Sequence, residues 1–130
     1  MTKHITPRTH GAIDYAVVAL LLLAPHLFAF GGTPALICYI VGVAQLGMSL
    51  ITAYPLGMLK MIPFPAHGQL ETIAAVALIG MPWFAGFSVD SKACWFFVLT
   101  GISLLAVVAV TDYRSVDARD WFRKPAPRPV

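Results

Sequence analysis

Two histidines and two carboxylates, spaced alike in two places, are the side chains best suited to chemistry in this chain. His10 is followed four residues on by Asp14, and His67 by Glu71. On a helix that spacing sets imidazole and carboxylate on one face, a turn apart. Two imidazole nitrogens with two carboxylate oxygens form a donor set that a divalent transition metal accepts. The same groups would serve equally as a proton or ion relay, or as a polar network that locks two helix starts together, with Arg8 or Arg114 completing it. Acids in the first turns of a helix also complement its dipole. Haem ligation by both histidines is a further alternative, disfavoured because His10 and His67 stand at the edges of their apolar runs.

The stretches that carry these groups repeat. HGAIDYAVVALLLLAPHLFAF (10–30) and HGQLETIAAVALIGMPWFAGF (67–87) each open with His-Gly, place the acid four residues on, and run apolar to a proline, Pro25 or Pro82. Each closes on a phenylalanine, Phe30 or Phe87, and the offset is 57 residues throughout without a gap. This predicts a tandem duplication of a two-helix unit, repeat 1 over about 7–55 and repeat 2 over about 63–113.

Hydrophobic residues make up 58% of the 130 positions and charged residues only 12%, with a mean hydropathy of +0.78. A water-facing surface needs more charge than that. Four apolar segments, about 11–30, 34–54, 68–87 and 93–112, have the length of roughly 20 residues that crosses a hydrocarbon core as helix. None alternates with the period of a barrel strand. The expected fold is therefore all-α, a four-transmembrane-helix bundle of two helical hairpins, in one integral membrane domain whose immediate partner is the lipid bilayer. The first segment is not expected to be a cleaved leader, because it carries Asp14 and lacks a small-residue cleavage site.

Eight of the nine basic residues fall before the first span, between the second and third, or after the fourth; Lys92 is the exception. By the positive-inside rule both termini then lie in the cytoplasm, with the net charge of +3 facing anionic headgroups. No basic run interleaved with aromatics supports nucleic-acid binding.

Within the spans, Thr6-Pro7 and Thr33-Pro34 each read as a capping hydroxyl followed by proline at a helix start. Pro25 lies where a proline kinks or ends the first span. Gly42, Gln45, Ser49 and Thr52 form a stripe of small and polar residues expected to face the bundle. In the fourth span Thr100, Gly101 and Ser103 are the small and polar positions. Thr111 and Tyr113 echo Thr52 and Tyr54, and Asp112 is a candidate to join the histidine cluster. The linker over 56–66 is apolar and proline-rich, suited to lying on a membrane surface. The tail over 114–130 contains an interfacial amphipathic piece with Val116, Trp121 and Phe122, then an extended proline-rich end.

Pro-Trp at 82–83, Gly86-Phe87, Glu71 and the matching Asp14, Pro25 and Phe30 resemble the half-repeat of the SPW-repeat integral membrane proteins. These are small bacterial proteins built from duplicated two-helix units. Ala24 and Met81 stand where that pattern has serine, and His26 replaces the first tryptophan. The resemblance implies the architecture and a bacterial inner membrane, and carries no ligand or activity with it.

Cys38 and Cys94 both fall near the outer ends of their spans, leaving open a disulfide or two small apolar side chains. His26 is expected to be solvated, and Trp83, Trp95 and Trp121 to be interfacial anchors. No phosphate loop, nucleophile triad or paired-cysteine motif supports an enzyme class. The favoured expectation is a structural or binding membrane module, open to self-association, whose cluster binds a cation or lipid headgroup and needs no cofactor. The alternatives are a proton or ion conductor lined by Gln45, Ser49 and Thr52, and a metal-dependent enzyme acting on a lipid or quinone.

Overall fold

The structure, a computed structural model, describes residues 4–114, so the interfacial tail expected beyond Arg114 lies outside the described residues. Four helices form the bundle: α1 (Pro7–Leu27), α2 (Gly32–Ile51), α3 (Phe64–Phe84) and α4 (Ser91–Val110). Two short strands, β1 (Thr52–Ala53) and β2 (Ile62–Pro63), lie between α2 and α3. Helix α1 packs along α2, and α3 along α4, giving two hairpins.

Local sequence explains the helix ends. Thr6 caps α1, its side chain accepting from the Thr9 amide, and Pro7 takes the first turn, where no amide is needed. Helix α3 starts after Pro63 without a side-chain cap, with Pro65 in its first turn. Both helices therefore begin three residues before their histidine, earlier than the apolar runs alone predict. At the other end Pro25 and Pro82 stay inside the helix, and their carbonyls accept from the amides of Phe30 (3.1 Å) and Phe87 (2.8 Å). The chain turns there through a left-handed residue, Ala29 (φ 53°) and Gly86 (φ 76°), the conformation that commonly ends helices. Both phenylalanines thereby fold back into the core. One expectation fails in this region: Gly31, not Thr33, precedes α2, and Thr33 lies within the helix.

Small residues set the distance within each hairpin. A Cβ on Gly42 would meet the Leu22 side chain at 2.9 Å, and one on Gly101 would meet the Ala75 carbonyl oxygen at 2.6 Å. The polar stripe of α2 does face inward, with Gln45, Ser49 and Thr52 buried. On α4 Thr100 is buried, but Ser103 points outward, being two residues from the packing face that Gly101 occupies. Cys38 and Cys94 are both free thiols, Cys38 being a small member of the apolar core. That core, which includes Phe30, Phe87, Phe96 and Phe97, fills the bundle between the hairpins.

At the opposite end the hairpins are stitched by backbone. Strand β1 pairs in parallel with β2, Thr52 opposite Ile62, and Ile5 forms a parallel bridge with Thr111. In each case the residue leading into one hairpin pairs with the threonine that ends the other.

The bundle's polarity is inverted relative to a water-soluble protein. Leu36, Val43, Ile73, Phe84 and Trp95 are exposed, whereas His10, Asp14, His67 and Glu71 are not. Helices α1, α2 and α4 are each long and apolar enough to cross a membrane.

Candidate metal centre

The four ionisable groups singled out by spacing meet in one place. His10 and Asp14 come from α1, His67 and Glu71 from α3, and all four are 0% exposed. One ligand-capable atom from each lies within 4.8 Å of the other three. A tetrahedral ion with bonds of about 2.0–2.2 Å needs donor separations of about 3.3–3.6 Å, so the widest pair would have to close by about 1.2–1.5 Å at most.

The pairing is crossed. Nε2 of His10 is 3.1 Å from Oε2 of Glu71 and 3.4 Å from Oδ1 of Asp14 on its own helix. Nε2 of His67 is 3.2 Å from Oδ2 of Asp14 and 4.0 Å from Glu71 on its own helix. The local pairing one turn on, which helical spacing favours, is thus the longer contact in both halves. The rings approach edge to face with centroids 5.5 Å apart.

The threonines define which ring nitrogen is available. Nδ1 of His10 lies 2.9 Å from Oγ1 of Thr111, and Nδ1 of His67 lies 2.8 Å from Oγ1 of Thr52. Each hydroxyl donates its one proton to the carbonyl a turn back in its own helix, Val107 or Met48, at 2.6 Å. Each Oγ1 must therefore accept from Nδ1–H, which leaves the Nε2 lone pair aimed at the cluster. This is the outer-shell device that orients metal-binding histidines. Thr52→Val and Thr111→Val, which keep shape and lose the acceptor, are expected to weaken metal binding by about 10–100-fold each. Titration of the purified variants with Zn²⁺ against a competing chelator checks this.

The inward atoms stand at ion-pair distances from one another but are not joined by well-formed hydrogen bonds. Nε2 of His10 and His67, Oδ1 of Asp14 and both Glu71 oxygens are buried and make no hydrogen bond in spite of their short separations. Buried atoms of this kind are costly unless a proton or a metal cation lies among them. The described residues thus fit a divalent ion by donor type, orientation and spacing.

Two tyrosines complete the surroundings. The Tyr54 hydroxyl donates to Oδ2 of Asp14 at 2.9 Å, and its ring covers Gly11. Lys60 donates to the Tyr54 carbonyl, and burial lowers the proton affinity of its amine. Tyr113 covers Gly68 and packs on Phe64, with centroids 4.6 Å apart. Burial first, and the Glu71 charge second, push its phenol well above the ordinary tyrosine range.

Several sequence expectations are corrected. Asp112 stays out of the cluster, its Oδ1 accepting from the Arg114 amide in its own turn. Arg8 and Arg114 are exposed, and the ion pairs among the described residues join only the two histidines to the two acids. Two rings in edge contact, with carboxylates against both Nε2 atoms, leave no gap for a porphyrin between them. His26 is exposed, as expected. Gln45 and Ser49 lie along the buried face of α2 beyond Thr52.

Residue spacing did not point to Tyr54, Gly11, Gly68 or Phe64 as parts of the site. The usable signals were the glycine after each histidine and the Thr-x-Tyr that ends each half, at 52–54 and 111–113. Comparison with models of protein families, with curated proteins and with solved structures finds no match for this chain.

Proposed function

We propose that this chain is a four-span integral membrane protein whose two hairpins are joined at one end by a single divalent transition-metal ion, held by His10, Asp14, His67 and Glu71. The observation that carries the reading is the convergence of buried inward atoms without hydrogen bonds, with both Nδ1 protons engaged elsewhere. Mixed nitrogen and oxygen donors favour zinc, iron or manganese over calcium or magnesium. Two carboxylates and two neutral imidazoles balance the charge of one such ion.

Lipid as the surrounding solvent is supported by the apolar exterior. Helix α3 is not one of the three that are long and apolar enough by themselves, but its polar His67 and Glu71 are turned inward. Leu70, Ile73, Val76 and Phe84 form its outer face, so it too suits a bilayer. Arg8, Lys60 and Arg114 stand at the end that holds the centre and Lys92 at the other, which speaks for a cytoplasmic site and cytoplasmic termini. Equivalent roles for His10 and His67, Thr52 and Thr111, and Pro25 and Pro82 favour duplication, in keeping with the resemblance to SPW-repeat proteins of bacterial inner membranes.

Elemental analysis of protein purified in detergent, followed by titration of the stripped chain, tests the metal. One ion per chain is expected. A chain that takes up none of zinc, iron(II), manganese or cobalt(II) at stoichiometric concentrations would overturn the reading.

A further inference from the structure

The two tyrosines beside the centre are held differently. The Tyr54 hydroxyl is tied to Asp14, and the linker that follows it is anchored by a hydrogen bond from the Tyr15 hydroxyl to the Leu56 carbonyl at 2.9 Å. Tyr113 lies closer still on its glycine, since a Cβ at Gly68 would be 2.6 Å from the ring. Its hydroxyl, however, is buried, neighbours Thr111 without a well-formed hydrogen bond, and lacks the tie to a carboxylate that holds Tyr54. A buried hydroxyl in that state gains by moving to where water or a polar partner can reach it.

A place to move lies beside it. Pro65, Gly68, Gln69 and Thr72 of α3, with Val108 of α4 and Tyr113 itself, line an open pocket of about 370 Å³. The ring of Tyr113 meets that of His10 edge to face at 5.7 Å between centroids. Tyr113 thus borders the pocket on one side and the fully buried centre on the other. An enclosed site needs a path for its ion, and a hydrated cation enters more readily past the Gln69 amide than through the phenylalanine-filled core.

We propose that Tyr113 is the movable wall of the centre. Its ring leaves Gly68, a divalent cation passes from the pocket between α3 and α4 to His10 and Glu71, and the ring closes behind it. This rests on the metal reading above and adds the route and the residue that controls it.

Exchange kinetics of the full-length protein in detergent, with Co²⁺ as the spectroscopic probe and a chelator to drive release, test it. Tyr113→Ala removes the wall. Gly68→Ala keeps the tyrosine but displaces it from its seat, and serves if the first variant folds poorly. Both are expected to speed uptake and release by about tenfold or more while the Kd changes by less than about threefold, because a gate alters rates and not the bound state. Tyr113→Phe, which retains the ring, is expected to exchange at the wild-type rate. Wild-type exchange rates in both Tyr113→Ala and Gly68→Ala, in a chain that binds Co²⁺ normally, would overturn the gate and leave the centre standing. Failure of the wild-type chain to bind Co²⁺ would remove the centre and the gate together.

Discussion

His67→Ala is expected to lower metal affinity by about 10²–10³-fold, and His10→Ala by a similar factor. Four-ligand structural zinc sites bind with about 10–16 kcal/mol, so one ligand accounts for about 2.5–4 kcal/mol. The loss should exceed that in Thr52→Val, which disturbs the orientation of the same ring but leaves it in place. Competition titration with Zn²⁺ distinguishes them. Equal, small losses in both would mean that Nε2 of His67 does not reach the ion.

The second large effect concerns the metal-free protein. Asp14 is the carboxylate most engaged, lying near both Nε2 atoms and accepting from Tyr54. Asp14→Ala is expected to cost about 3–5 kcal/mol of stability, the range for removing one partner from a buried charged network. Unfolding in detergent with a chelator present would measure it. Asp90→Ala, which removes the carboxylate accepting from the Ala93 amide at the start of α4, should cost only about 1 kcal/mol and gives the scale. A loss of similar size at both positions would show that the cluster contributes no more than a surface cap. The two experiments separate roles, because one reads ion affinity and the other reads what the side chains do without the ion.

The parts of the fold legible from sequence are those that local chemistry dictates. Thr6-Pro7 starts α1 because the hydroxyl satisfies an amide and the ring needs none. Apolar runs of about 20 residues without strand-like alternation become helices because a helix satisfies its backbone groups within its own segment. Thr33 misled because Gly32, at φ 61°, lets the chain enter the helix two residues sooner. Ser103 takes the outer side of α4 and Thr100 the inner, because composition marks a residue as small and polar without saying which side of the helix it takes.

Spacing of residue types alone determined that His10 and Asp14, and His67 and Glu71, would share helix faces at matching depths, and that both faces would avoid an apolar exterior. Only the tertiary structure decided that each imidazole would turn to the acid of the other hairpin and hang from the other hairpin's last threonine. The reason is geometric: the parallel pairings of Ile5 with Thr111 and Ile62 with Thr52 bring the end of one hairpin beside the start of the other. No spacing along a single helix encodes that contact, because it depends on how two separately written segments come to lie side by side.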